Sequence, residues 1–353
     1  MAVQRIRVGV IGAGRMGERH CRVYANMPTV ELVGISDQRP EHGRQIADRY
    51  ETAYFQDYTD LLGKVDAVSV ATPTDTHYAV AVDCIHRGVG LLLEKPLTHT
   101  LAEARSLATL AERSNAVLQV GHIERFNPAF MELEEILEDM DVIGLTAQRL
   151  SPFDTSGTDA DVVFDLMIHD IDLALTLIPR KIQSLQATGR AARTDSVDYA
   201  VSTLSMQDGP IASLIASRIT EQKVRLLEVT TVGAFVTADL LSKSIRVFRR
   251  AVPELITGGQ RPLRYRQENL VELIQIPTAE PLQLELQDFL RCVREHDTPK
   301  VSAAEGLRAL TVAAEISESI VTADDVAAGR RRDRRAKYLA DVPAPLAAVS
   351  GGL

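Results

Sequence analysis

The sequence predicts two domains: an α/β domain on a doubly wound parallel sheet, then an α+β domain on an antiparallel sheet. Three observations carry this expectation. Short apolar runs alternate with helical stretches as far as residue 122, the pattern of parallel strands joined by crossover helices. The first strand-to-helix junction is a glycine turn, Gly12-Ala13-Gly14-Arg15-Met16-Gly17. From residue 182 the pattern changes to a meander-like succession of strands, which suits antiparallel pairing. A length of 353 residues also exceeds what a single domain usually holds.

Residues 5–11 form the first strand and run straight into the glycine turn. Gly12 allows the tight turn, Gly14 lets backbone approach a pyrophosphate, and Gly17 lets helix and strand pack closely. The free N–H groups of the following helix then face an anion. A second run, 31–36, ends in Asp37, twenty residues beyond Gly17, the expected reach to an adenine-ribose diol. A carboxylate there hydrogen-bonds a free 2′-hydroxyl and repels a 2′-phosphate, which predicts NAD over NADP. Arg39 could stack on adenine, accept a 2′-phosphate, or be solvated.

Residues 40–50 read as a helix with Pro40 in its first turn, and 58–62 as a short one. The strand at 65–71 ends in Ala71-Thr72-Pro73-Thr74-Asp75-Thr76-His77. Ligands on parallel sheets gather beyond the carboxyl ends of the strands, so this loop should lie over the cofactor. A helix at 79–87 stops at Gly88, and the apolar strand 90–93 leads into Glu94-Lys95-Pro96. Lys95 there is either part of a solvated turn or desolvated beside the cofactor's positive charge, which would lower its pKa toward a useful value. The helix 102–113 and the strand 117–121 complete the first domain, and His122 follows at its edge.

The second domain opens with an acidic amphipathic helix, 129–140, and a strand, 142–150. Residues 151–161 read as a mobile loop. The stretch 161–175 is apolar nearly all round and predicts a buried helix, stopped before Pro179. Asp165, His169 and Asp172 fall at i, i+4 and i+7 on one face of it. Buried ionisable groups are costly unless paired or facing a polar ligand, so they form either a structural Asp–His pair or a site. Asp170 points elsewhere and should pair structurally. Strands are predicted at 182–187, 199–206, 211–219, 224–231, 234–239, 244–249 and 270–276. A charged insertion at 251–268, with Arg261, Arg264 and Arg266, is a lid or a surface excursion. Helices at 281–296 and 303–321 close the domain. The boundaries are 1–122, 123–324 and a basic, frayed tail at 325–353, whose arginines between 330 and 335 read as solvated.

A net charge of −9 argues against nucleic-acid binding. No run of eighteen apolar residues and no signal-peptide pattern occurs, so a cytoplasmic protein without membrane partners is expected. Cys21, Cys84 and Cys292 lack metal-site spacing and read as reduced packing residues. No metal is expected.

Taken together, the 12–17 turn, Glu94-Lys95-Pro96, and Asp165 with His169 resemble the glucose-fructose oxidoreductase/inositol dehydrogenase (Gfo/Idh/MocA) family, over residues 8 to about 321. The resemblance implies a Rossmann domain and an open-faced, mostly antiparallel second sheet that forms a homodimer or homotetramer. It implies a catalytic group of Lys95, Asp165 and His169. His169 would accept the hydroxyl proton, Lys95 would hold the same oxygen, and Asp165 would orient the histidine. Thr72, Pro73 and His77 would line the nicotinamide side. With them the expected NAD site comprises Gly12, Ala13, Gly14, Arg15, Met16, Gly17, Asp37, Arg39, Ala71, Thr76, Glu94, Lys95 and His122.

Residues 121–128 and 165–172 look like the branch of the family that oxidises UDP-N-acetylhexosamines at C3. That likeness implies a nucleotide sugar, foremost UDP-N-acetylglucosamine, oxidised to its 3-keto form. The small-molecule substrate would meet Lys95, Arg125, Phe126, Asn127, Asp165 and His169, with Arg125 or the 251–268 arginines on the diphosphate. Where many members have a glycine-rich approach to the catalytic helix, this chain has Asp159-Ala160-Asp161-Val162-Val163-Phe164. The competing readings are a dehydrogenase of a free polyol or aldose such as inositol, an NAD-dependent glycosidase, and a non-catalytic NAD-binding sensor.

Overall fold

Buried apolar strands and amphipathic helices alternate from the start of the chain. A computed structural model describes residues 5–154, 161–250, 254–256, 264–266, 269–276 and 278–320. The first domain runs β1 (Ile6–Ile11), α1 (Arg15–Ala25), β2 (Val30–Ser36), α2 (Pro40–Arg49), β3 (Ala53–Phe55), α3 (Tyr58–Leu62), β4 (Ala67–Val70), α4 (His77–His86), β5 (Gly90–Glu94), α5 (Leu101–Arg113) and β6 (Leu118–Gly121). The strands pair in parallel in the order β3-β2-β1-β4-β5-β6. Covered on both faces, β4 and β6 are buried at every position, as parallel sheets require. Local signals set the helix starts: Pro40 sits in the first turn of α2, and Thr100 and Glu103 form a capping box on α5. Strand β3 was not predicted. Three half-exposed residues at a sheet edge leave no periodic pattern to read.

After a single turn, Ile123–Phe126, come α6 (Pro128–Leu137), β7 (Val142–Leu150), a π-helical turn (Val163–Met167) and α7 (Ile168–Leu177). Then follow β8 (Ile182–Arg190), β9 (Tyr199–Met206), β10 (Ile211–Ser217), β11 (Val224–Thr231), β12 (Ala234–Asp239), β13 (Ser244–Arg250), the small pair β14 (Glu254–Ile256) and β15 (Arg264–Arg266), and β16 (Asn269–Gln275). Eight of these strands form one sheet in the order β16-β13-β12-β11-β7-β10-β9-β8. It is antiparallel except where β7 lies parallel to β10. The expected meander is therefore split: β7, which precedes α7 in the chain, occupies the middle of the sheet. One sheet face is covered by α6, α7 and α9 (Ala303–Ser319). Apolar residues including Ile143, Ile211, Phe235 and Leu273 remain exposed.

α8 (Pro281–Glu295) follows the second sheet in sequence but packs elsewhere. Its Leu282, Leu286, Phe289 and Leu290 join the cluster of Val8, Val10, Tyr24 and Ile35 in the first domain. A 123–324 unit is thus not self-contained, because its penultimate helix completes the core of the domain before it. All three cysteines are free and buried. Among the described residues, no helix is long and apolar enough to cross a membrane and no three His, Cys, Asp or Glu side chains cluster as a metal site. The insertion at 251–253, 257–263 and 267–268, the loop tip at 155–160 and the tail from 321 lie outside the described residues.

Arg149 on β7 holds the second domain's layers together and ties them to the first. It donates to Asp170 of α7 at 2.9 and 2.7 Å and to Glu124 of the connecting turn at 2.7 Å. Burial works against its charge, but Asp170 and Glu124 more than offset this and raise its pKa. Replacing one member of such a cluster strands the rest in a dry environment. Arg149→Met should therefore cost about 3–5 kcal/mol in urea unfolding, and a loss under about 1 kcal/mol would show that the cluster does not hold the domains.

Candidate active site

The glycine turn builds a cradle. Gly12 has φ +92°, and a Cβ there would lie 2.6 Å from the carbonyl oxygen of Ala71. A Cβ at Gly17 would lie 1.8 Å from the carbonyl oxygen of Gly12. Gly14, by contrast, faces open space, with nothing within 4 Å of a Cβ built on it. It caps α1 without a side-chain bond, so the first N–H groups of that helix, from Arg15 to Gly17, are free for an anion. Asp37 closes the cradle at the end of β2. Its carboxylate accepts from the Ala13 and Arg39 N–H groups, both at 2.8 Å. Burial alone would raise its pKa; hydrogen bonds from Arg39 and Ala13 outweigh that and lower it. The Arg39 guanidinium pairs with Asp37 at 3.2 Å, an arrangement outside the three alternatives expected for it. A dinucleotide fits these residues: open backbone at the turn and an ionised carboxylate one strand away.

Ala71 abuts Gly12, and Thr72 accepts a hydrogen bond from Thr76 at 2.7 Å. His77, expected on the nicotinamide side, is held between two backbone carbonyls. It is 1% exposed, with ring nitrogens 3.0 Å from the carbonyl oxygens of Pro96 and Thr72. It ties the loop after β4 to the turn after β5.

That second turn carries Lys95, whose peptide bond to Pro96 is cis. The Lys95 ammonium donates to the backbone carbonyl of Asp165 at 2.7 Å and lies 3.5 Å from its carboxylate. A residue of the first domain thus meets the π-helical turn of the second, a geometry common at functional sites. His169 follows on α7, half-buried, its ring edge-to-face with His122 at 6.2 Å between centroids. The Nδ1 atoms of both rings are buried without a partner. Burial, then Lys95, lowers the His122 pKa to about 3. Burial, followed by the charges of Lys95 and Arg149, lowers that of His169 well below its ordinary value.

Two expectations need correction. Asp165 makes no hydrogen bond to His169; it pairs with Lys95, because the π-helical turn breaks the regular i, i+4, i+7 face. Asp172, on the same expected face, is buried against Arg125 at 3.5 Å, and burial raises its pKa to about 7. The 125–127 side chains, expected at the substrate, are engaged within the protein. Arg125 is 4% exposed and engaged with Asp172, Thr176 and Glu305. Phe126 lies in the core. Asn127 caps α6 through Ala129 and donates to Glu124 and to the carbonyl of Leu240. Sequence reasoning missed Arg225, whose alternating strand pattern hid it. It is buried at the start of β11, donates to the carbonyl of Leu150 at 2.6 Å and to Ser151 Oγ at 2.8 Å, and burial lowers its pKa to about 10.

A family model described as "Oxidoreductase family, NAD-binding Rossmann fold" matches residues 6–122, and one described as "GFO/IDH/MocA C-terminal domain" matches 146–234. UDP-N-acetylglucosamine 3-dehydrogenase of Acidithiobacillus ferrooxidans is 32% identical over 89% of this chain and 97% of that protein. Its solved structure has a TM-score of 0.82, covering 90% of this chain and 97% of that one. The scyllo-inositol 2-dehydrogenase (NAD(+)) of Bacillus subtilis is 26% identical over 84% of this chain and 89% of that protein. GenD2 from gentamicin A biosynthesis, solved in complex with NAD, shares the fold at 22% identity, with a TM-score of 0.73 over 90% and 95% of the two chains.

A lowered histidine pKa has a defined sign in stability. The folded state keeps His122 neutral, so its contribution is complete above the unfolded pKa of about 6.5 and is lost as pH falls toward about 3. Relative to His122→Gln, the wild-type protein should lose about 1.4 kcal/mol per pH unit between roughly pH 6 and 4. Urea unfolding at several pH values checks this; a difference independent of pH would mean that His122 is not held neutral.

Proposed function

Because the chain belongs to the Gfo/Idh/MocA family of NAD-binding oxidoreductases, we propose that it oxidises the C3 hydroxyl of UDP-N-acetylglucosamine to the 3-keto sugar. The observation that carries the substrate is the similarity to UDP-N-acetylglucosamine 3-dehydrogenase, which spans 97% of that protein. The observation that carries the chemistry is the pairing of Lys95 with Asp165 where the two domains join, with His169 close enough to feel the lysine's charge.

Oxidation of a secondary alcohol removes a hydride from carbon and a proton from oxygen; bound NAD supplies the acceptor for the hydride. The 12–17 turn would hold its pyrophosphate, Asp37 its adenine ribose, and the loop at 71–76 would cover it. Lys95 directs its ammonium at the substrate oxygen and stabilises the negative charge that grows there. Asp165 holds that ammonium in place. His169 enters the reaction neutral, with a lone pair for the hydroxyl hydrogen. It takes the hydroxyl proton as hydride leaves C3, and the Lys95 cation stabilises the oxygen while that proton is transferred. Arg225 supplies further positive potential beside Asp165.

We also propose that copies of the chain associate through the open sheet as a homodimer or homotetramer. Ile211 (48% exposed), Phe235 (38%) and Leu273 (60%) alternate with the more buried positions of their strands and form apolar surface on the open face, of a kind that usually has a partner. Light scattering should report an oligomer, and Leu273→Glu combined with Phe235→Glu should shift it toward monomer. A monomeric wild type would end this proposal.

NADH formation, followed by absorbance, should appear with UDP-N-acetylglucosamine and be absent with N-acetylglucosamine and myo-inositol. Turnover with a free sugar alone would overturn the substrate, and silence with all three while NAD still binds would favour a sensor. Lys95→Ala should keep NAD binding within about threefold and lower turnover by at least about a thousandfold. Near-normal turnover would remove Lys95 from the mechanism.

A further inference from the structure

The turn that carries Lys95 is anchored from behind by the helix whose first turn forms the cradle. His20 lies on α1, fully buried, and its Nε2 is 3.0 Å from Oε1 of Glu94. Glu94 is the last residue of β5 and the immediate neighbour of Lys95. In the sheet β4 stands between β1 and β5, so this hydrogen bond spans a strand to join the cofactor helix to the catalytic turn. The other Glu94 oxygen faces Gly121 on β6, where a Cβ would lie 3.1 Å from it. The carboxylate therefore sits in a slot with His20 on one side and bare backbone on the other. Its partner is the Nε2–H tautomer of His20, since Nδ1 is buried without a partner.

The surrounding layer is polar and dry. Tyr24, one turn beyond His20, shares a 2.8 Å hydrogen bond with Ser69 of β4. Gln119 of β6 donates to the backbone carbonyl of Glu285 on α8 at 3.1 Å. The Glu285 carboxyl is fully buried, and burial, then the charge on Glu94, raises its pKa well above the carboxylate range. Burial thus disfavours charge on Glu285, and His20 is the side-chain partner of Glu94 in this layer. Neither His20 nor Glu285 has a part in the proton and hydride steps described above.

We propose that His20 is a positioning residue: through Glu94 it fixes the Lys95 turn relative to α1, and so the catalytic ammonium relative to the cofactor that α1 holds. The inference rests on the oxidoreductase reading but not on the identity of the sugar. Geometry of this kind matters because misplacement by about 1 Å can cost on the order of a hundredfold in rate.

The test compares His20→Leu with the donor-retaining His20→Gln in the full-length protein. Two readouts apply: hydrogen exchange of the 90–98 segment by mass spectrometry, with and without NAD, and steady-state kinetics. His20→Leu should speed exchange at 94–97 at least about fivefold and leave the 6–17 segment unchanged. It should lower kcat about 10–100-fold with KM for NAD within about threefold, and His20→Gln should restore both readouts to within about threefold. If His20→Leu does not fold, Glu94→Ala takes its place and should show the same changes, with Glu94→Gln, which keeps an acceptor for His20, restoring both readouts to within about threefold. Wild-type exchange and kcat in the variant that folds would overturn the proposal. So would equal impairment of the Leu and Gln variants at position 20, or of the Ala and Gln variants at position 94. If no sugar is turned over by the wild-type protein, the substrate proposal fails while the exchange result still decides the role of His20.

Discussion

The guanidinium of Arg149 is buried between carboxylates from separate parts of the chain, Asp170 beyond the catalytic turn and Glu124 just past the nucleotide-binding sheet. Arg149 itself is on β7, the strand that sits in the middle of the second sheet. Three elements are thus fixed to one another by one charged group. Removing any member would leave an uncompensated charge in a dry environment, which makes the arrangement difficult to relax. The position of α7, and with it Asp165 and His169, follows from this cluster. The meeting of Lys95 with Asp165 across the domain junction depends on it in turn.

The same cations that order the site also set its chemistry. Burial, then the charges of Lys95 and Arg149, disfavours the charged form of His169. In the proposed reaction the ammonium of Lys95, held by Asp165, would stabilise the oxygen that gains charge as hydride departs. The His122 ring lies edge-to-face with that of His169.

Much of this was legible in the sequence because the strongest local signals are also the functional ones. Gly12, Gly14 and Gly17 occur where backbone contacts leave no room or must leave room open, and the Glu94-Lys95-Pro96 turn follows a wholly apolar strand. What escaped reading was set by long-range packing. The central place of β7 and the return of α8 to the first domain have no periodic signature. The 3.6-residue repeat placed Asp165, His169 and Asp172 on one face, but the π-helical turn sends Asp165 to Lys95 and leaves Asp172 against Arg125. Arg125, Phe126 and Asn127 were expected at the substrate from a motif likeness, whereas their contacts with Asp172, Glu305 and Leu240 come from distant parts of the chain. The hydrogen bond between His20 and Glu94 joins residues 74 apart in sequence, and no local pattern announces it.

If the junction of the two domains removes hydride from C3 of a nucleotide sugar, as proposed, a label at that carbon must move to the cofactor. UDP-N-acetylglucosamine carrying deuterium at C3 would be incubated with the protein and NAD, and the reduced cofactor analysed by mass spectrometry. One deuterium in the NADH formed and a 3-keto product that has lost it are expected. Reduced cofactor without deuterium, or product with the label retained, would contradict the proposed reaction.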